Sequence, residues 1–443
     1  VAPVPQWCRM RSRRALCLSI MAVAMVSLPS CGGMVRDSRP SIVLIVVDTL
    51  RADYLGCYGF EGEISPNIDA LAEESFVFTG CHSQAPWTTP SVASMMSSML
   101  PDLYGVGLPE DAPRNHLEWR RQWSPAIPDS ATTLAEQLHA SGYRTAAFVA
   151  NPFLVDGLGF DQGFEVFDTR RARAADRSAQ RVFGDSAEWL DEALRGREPF
   201  FLYLHLMDVH GPYDAHRRDF VAVKDSPGLG PDHRLTNEEW DRIQPYLREP
   251  DWAKQPEARS VRTWRGRYAA GVRAADRQIG EFLDRLRSHH RWANTIVVLT
   301  SDHGEELFDH GNWDHGFSLY EHQLRVPLIV RLPGSERAGT RLDQPVRLLD
   351  LAPTVLHAAG AEPLPEHHGR LLLSRDIDAR TPTVFASCNK ARPEESAIIA
   401  DDHKLIVDLE TGARQLFDLA SDPEEKHNLW SEGNERAQIL AHL

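Results

Sequence analysis

The chain has 443 residues, 42% of them apolar, with 48 Lys and Arg against 63 Asp and Glu and a formal charge of −15. That length holds one large α/β domain with an appendage, or two ordinary domains, and in either case a sizeable core. Beyond the N-terminal segment no cluster of Lys and Arg is dense enough to grip a polyanion, which excludes nucleic acid as the partner.

Residues 1–30 read as a leader: Arg9, Arg11, Arg13 and Arg14 make a basic start, and 15–28 is an apolar run too short to span a bilayer comfortably. The run ends in Leu28-Pro29-Ser30-Cys31-Gly32, which resembles a bacterial lipoprotein box. The resemblance implies that Cys31 is acylated and anchors an exported chain to a membrane of the cell envelope. A plain secretory leader with an incidental Cys and an uncleaved anchor stay open, and both also export the protein. Cys57, Cys81 and Cys388, outside the leader and its box, allow at most one disulfide, so this is no disulfide scaffold.

After a linker over 31–40, residues 41–47 are continuously apolar and β-branched, as in a strand buried on both faces of a parallel sheet. Similar runs follow at 144–150, 200–207, 295–300 and 326–330. Between them helical periodicity predicts helices over 92–99, 132–139, 182–194 and 268–286. This alternation indicates an α/β layered domain with a large, mostly parallel sheet. The polar stretch 208–261 reads as an insertion over the sheet's edge rather than core. Short extended pieces at 382–387, 396–400, 405–409 and 415–419 predict a small antiparallel sheet. The expected organisation is a catalytic domain over 41–364 and a C-terminal subdomain over 365–443. No Gly-rich phosphate loop, GxSxG elbow or zinc-spaced Cys cluster is present.

Ligands of open α/β sheets bind beyond the carboxyl ends of the strands, where the first polar residues after the apolar runs stand. Asp48 follows the first strand, Asp302 and His303 the one at 295–300. Two hard oxygen donors and an imidazole converging there make a divalent-metal site with open positions, for Ca²⁺, Mg²⁺, Mn²⁺ or Zn²⁺. The competing role for each Asp is to cap a turn or helix. Thr88 stands just before an apolar run, with Pro90 suited to a first helical position. A helix start favours an anionic group, and a metal can activate a hydroxyl for attack. Taken alone, however, Thr88 reads first as a helix N-cap.

The stretches Val47-Asp48-Thr49-Leu50-Arg51-Ala52-Asp53, Pro66-Asn67-Ile68-Asp69, Thr88-Thr89-Pro90-Ser91, His205 to Tyr213, Ser301-Asp302-His303-Gly304-Glu305, His315-Gly316 and Arg325-Val326-Pro327 together resemble the sulfatase family of the alkaline-phosphatase superfamily. The match continues to about residue 430 in family order. It implies that Asp48, Asp302 and His303 bind the metal, that Thr88 is the nucleophile, and that His210 and His315 face the ester. An imidazole there can bind anionic oxygens or protonate the leaving group; His205 and His310 read as structural hydrogen-bonders. The chain departs from the family in three ways. Thr88 replaces the Cys or Ser that matures to formylglycine, Val92 the Arg of that motif, and Thr49 the second Asp of the metal shell. These departures are similar to Thr-nucleophile relatives, including phosphodiesterases and phosphoglycerol or phosphoethanolamine transferases. The expected function is hydrolysis of a sulfuric or phosphoric ester of a small molecule, glycan or lipid through a covalent Thr intermediate, with group transfer, or binding without catalysis, as alternatives.

Overall fold

The computed structural model describes residues 39–101, 127–213, 216–243, 256–373, 383–388 and 394–442. The leader, Cys31 and most of the linker lie outside the described residues.

β1 (Ser41–Val47) is buried along its whole length because its alternate side chains enter two different cores. Val43, Ile45 and Val47 face one apolar layer. Ile42, Leu44 and Val46 face the other. A strand covered on both faces has no polar side to show, which is why the run reads without alternation. β1 pairs in parallel with β5 (Phe200–Leu206) on one side and β6 (Thr295–Thr300) on the other. β3 (Arg144–Val149) and β4 (Val166–Asp168) extend the sheet beyond β5. Beyond β6 come β9 (Arg325–Arg331), β2 (Phe76–His82) and β10 (Thr340–Arg347), completing an eight-stranded sheet of order β10-β2-β9-β6-β1-β5-β3-β4. Within it β9 alone runs against its neighbours.

The first layer is covered by α1 (Pro66–Glu73), α4 (Ala179–Arg195) and α7 (Val261–Arg287). The other is covered by α2 (Thr88–Ser97), α3 (Leu134–Ala140) and α9 (Leu351–Ala359). α3 starts at a capping box in which Thr133 and Glu136 bond each other's backbone amides.

The stretch 208–261 is not the peripheral insertion its composition suggests. It carries α5 (Arg217–Val223) and α6 (Asn237–Ile243), and Val223, Leu229, Leu235 and Ile243 join the first core. α7 also begins seven residues before the predicted start, with Val261 and Trp264 buried. Gly271 lets α7 close on the loop after β5, since a Cβ there would come within 2.5 Å of Asp208 O.

β11 (Val384–Cys388), β12 (Glu395–Ala400), β13 (His403–Asp408) and β14 (Arg414–Asp418) form the antiparallel four-stranded sheet expected at the C-terminus, closed by α10 (Glu435–Leu440). The remaining elements are the two-stranded β7 (Glu306–Leu307) and β8 (Trp313–Asp314) and the short α8 (Glu321–Leu324). A buried charge cluster joins the two larger sheets. Lys404, on β13, has no exposed surface and lies 3.1 Å from Glu321 and 2.8 Å from Glu425. Glu321 also meets His82, the last residue of β2, at 3.0 Å. None of Cys57, Cys81 and Cys388 is joined in a disulfide.

Candidate active site

The carboxyl ends of β1, β3, β5 and β6 bring together Asp48, Asn151, the turn bearing His210, and the Ser301 to Glu305 loop. β2 leads through 83–87 into α2, so Thr88 arrives at the same edge. Thr88 is the first residue of α2; Trp87, in extended conformation, occupies the cap position, and Pro90 is the third helical residue rather than the first. No side-chain cap bond exists here, which corrects the N-cap reading of Thr88. Its side chain is buried, with Oγ1 3.4 Å from His303 Nε2 and 3.2 Å from Asn151 Nδ2.

Asp48 Oδ1 and Asp302 Oδ2 are fully buried and make no hydrogen bond. His303 Nε2 lies 3.9 Å from the first and 3.4 Å from the second. The ligating atoms of Asp48, Asp302 and His303 all fall within 4.8 Å of one another. His303 Nδ1 donates to Gly304 O at 2.8 Å, which leaves Nε2 as the lone-pair nitrogen facing the carboxylates. Gly304 is required for this turn, because a Cβ would approach His322 O to 2.0 Å. Burial and the neighbouring Asp48 charge push the Asp302 carboxyl up. Burial acts on Asp48 in the same sense. The hydrogen bond from His205 and the fields of His210, His205 and His303 together outweigh it and hold Asp48 below the carboxylate range. Two buried carboxylates with an orphan oxygen each, beside an imidazole lone pair, fit a divalent cation, which would let both ionise.

Asp48 Oδ2 is held from behind. His205 Nε2 donates to it at 3.0 Å, and Tyr203 OH donates to His205 Nδ1 at 2.7 Å. His205 is therefore the structural hydrogen-bonder the sequence suggests. His310 stacks on Tyr320 at 3.7 Å, apart from this cluster. His315 ties to the site through its ring, 4.5 Å from that of His303 and 5.0 Å from that of His210. Its Nδ1 meets Glu305 Oε1 at 3.0 Å, while Tyr213 OH donates to Glu305 Oε2 at 2.6 Å. His210 Nδ1 donates to Gly211 O. Burial, with His315 nearby, pushes the His210 imidazole down against the pull of Asp48.

The departures from the family pattern have local causes and consequences. Val92 is buried in the second core, so the face of α2 that would carry the Arg packs against apolar side chains. Thr49 takes a left-handed backbone, φ 60°, rare for a β-branched residue, and its buried hydroxyl has no partner. Its backbone nonetheless serves the site: Thr49 N donates to Asp302 Oδ1 and Thr49 O accepts from Tyr268. Ser91 Oγ donates to Asp302 O, fastening α2 to the loop that carries Asp302 and His303.

Sequence reasoning passed over Asn151, and gave Glu305 and Tyr213 no role although both stand in the matched stretches. Asn151 satisfies the criterion that found Asp48 and Asp302, being the first polar residue after the apolar run 144–150. The contact of Glu305 with Tyr213 joins distant segments and leaves no local signal.

A mostly parallel sheet presents a hydroxyl, two carboxylates and imidazoles at its carboxyl edge, the arrangement that the resemblance to the alkaline-phosphatase superfamily implies for an ester-cleaving enzyme. The chain belongs to the sulfatase family, whose model matches residues 40–361. A model for the C-terminal part of N-sulphoglucosamine sulphohydrolase matches 308–443. Among curated relatives, an arylsulfatase of Clostridium perfringens is 25% identical, the alignment covering 88% of this chain and 90% of the relative. A choline-sulfatase of Rhizobium meliloti is 26% identical over 88% and 82%. The fold is shared with the phosphonate monoester hydrolase of Agrobacterium radiobacter, at TM-score 0.71, 19% identity and coverage of 91% and 94%. It is also shared with a protein solved with its substrate D-glucosamine-2-N,6-O-disulfate, at TM-score 0.68, 20% identity and coverage of 91% and 96%.

Proposed function

We propose that the chain hydrolyses a sulfuric ester through a covalent ester on Thr88, with one divalent cation held by Asp48, Asp302 and His303. The observation that carries this reading is the Thr88 hydroxyl set 3.4 Å from His303 Nε2, beside carboxylate oxygens that have no other partner. A bound cation would stabilise charge on the ester oxygens and on the attacking hydroxyl. The first-turn amides of α2 favour the same anionic group. Thr88 Oγ1 attacks sulfur as its proton passes to an imidazole, the bond to the alcohol oxygen breaks, and that oxygen takes the proton from His210 or His315. Water then cleaves the Thr ester, restoring the hydroxyl and releasing sulfate.

Two carboxylates with one imidazole suit Mn²⁺ or Zn²⁺ better than Ca²⁺. Elemental analysis is expected to find one such ion per chain and to find it lost in Asp302→Ala. A metal-free protein, or an unaltered metal content in the variant, would sink the site. The substrate class is a small-molecule, glycan or lipid ester, supported by the sulfated sugar bound to a protein of this fold. A panel of aryl sulfate, phosphate mono- and diester and phosphonate esters tests the chemistry. Turnover of phosphorus esters alone would replace sulfur by phosphorus, and capture of the group by an added alcohol instead of water would mark a transferase.

This reading includes the organisation expected above, a catalytic domain over 41–364 with a C-terminal subdomain over 365–443, and export with anchoring through Cys31. Acyl chains would supply the membrane affinity. Cys31→Ser is expected to abolish metabolic lipid labelling and release the protein or halt its processing; unlabelled wild-type protein would leave a plain leader instead.

A further inference from the structure

The reaction above gives Asn151 no task, yet its amide joins the nucleophile to a metal ligand. Asn151 follows β3 and is 1% exposed. Its Oδ1 accepts from Phe153 N at 2.7 Å, and its Nδ2 donates to Asp48 Oδ2 and to Thr88 Oγ1, the latter at 3.2 Å. A backbone N–H can only donate and a carboxylate can only accept, so these two neighbours fix which end of the amide is which. The remaining Nδ2 hydrogen is thereby aimed at Thr88 Oγ1, which must receive it on a lone pair. An amide neither takes nor yields a proton at working pH, so Asn151 serves there purely as a donor.

Resting on the covalent reading above, we propose that Asn151 is a further catalytic residue, a fixed donor to the nucleophile oxygen in both halves of the reaction. In the first half the Oγ1–S bond forms, the S–O bond to the alcohol breaks, and the proton of the Thr88 hydroxyl is passed, by way of an imidazole, to the departing alcohol. In the second a water oxygen bonds to sulfur, the Oγ1–S bond breaks with its electron pair left on Oγ1, and a proton from that water restores the hydroxyl. Oγ1 carries developing charge at the start of the first half and the end of the second. A preorganised donor stabilises such charge without having to reorganise. The same bond holds the Oγ1 lone pairs in a constant direction relative to Asp48.

Two variants remove the donor, Asn151→Ala without filling its space and Asn151→Leu while filling it. Each is measured for metal content, melting temperature, kcat and KM, beside the wild type. The expected result is a folded protein with one metal ion per chain, since His205 still holds Asp48, and a kcat lowered by about 10²- to 10³-fold with KM nearly unchanged. The loss should be equal for esters with good and poor leaving groups, because Asn151 touches the attacking oxygen and not the departing one. Rapid-quench labelling should show both formation and decay of the Thr88 adduct slowed. Wild-type kcat in either folded variant overturns the proposal. So does loss of metal in step with activity, which would make Asn151 a support for Asp48 only, or a loss that grows with the basicity of the leaving group. A wild-type enzyme that turns over with no adduct on Thr88 overturns the covalent reading itself, and that result is obtained before any variant is compared.

Discussion

Thr88→Ala is expected to lower turnover by on the order of 10³-fold or more while leaving fold and metal content in place. Thr88 makes no cap bond to α2, so the variant forgoes the loss of about 1 kcal/mol that removing a capping hydroxyl brings. What disappears is the oxygen between His303 Nε2 and Asn151 Nδ2. Thr88→Ser should keep a measurable part of the rate, because the hydroxyl remains and only a methyl group, with its restraint on the rotamer, is lost. Mass spectrometry of quenched wild-type enzyme is expected to find the sulfuryl or phosphoryl group on the peptide containing Thr88. Near wild-type turnover by the Ala variant would refute the covalent route.

The largest effect on stability is expected at Lys404. Lys404→Ala leaves the buried Glu425 and the partly buried Glu321 without their ammonium partner, and breaking such a cluster costs about 3–5 kcal/mol. Burial lowers the Lys404 pKa, but the two carboxylates outweigh it and hold the ammonium charged. Burial likewise raises Glu321, yet His82 and Lys404 pull it well below the carboxylate range. Glu425, which shares the same ammonium, is pushed up by burial and by the Glu321 charge despite Lys404. A urea titration should show the variant unfolding at distinctly lower denaturant, and an unmoved midpoint would mean the cluster contributes nothing net. Because His82 ends the strand that leads to Thr88, weakened activity below the unfolding range is expected as well.

What the sequence disclosed follows burial. β1 and β6, covered on both faces, are legible to the residue, whereas β2, β4 and β10 are not. β10 is an edge strand with Asp343, Gln344 and Pro345 in its middle, and its register against β2 breaks between Leu342 and Pro345. Only an edge tolerates Pro within a strand, so local sequence argues against the element that forms. β4 has three residues. The start of α7 is masked by Arg262, Arg265, Gly266 and Arg267, although Val261, Trp264 and Tyr268 keep a helical spacing that only packing makes visible. At the site, Asp48, Asp302 and His303 are legible from their place after strands. Asn151 stands in the same kind of place, but its neighbour Pro152 makes the pair read as a turn. The link from Tyr213 through Glu305 to His315 depends on three separate segments meeting, and no spacing announces it.

The central position of β1 bears on how the molecule comes into being. β1 has its hydrogen-bonding partners at Phe200–Leu206 and Thr295–Thr300, and its two apolar faces are covered largely by helices that follow it by many residues. A nascent chain emerging from the ribosome therefore displays an uninterrupted apolar strand with no sheet partner until Phe200–Leu206 is made, and one of its edges stays open until Thr295–Thr300 follows. Such late, non-local pairing is slow and open to aggregation. Assembly around β1 therefore has to wait for Thr295–Thr300, and the apolar strand left waiting during synthesis is the one that leads into Asp48.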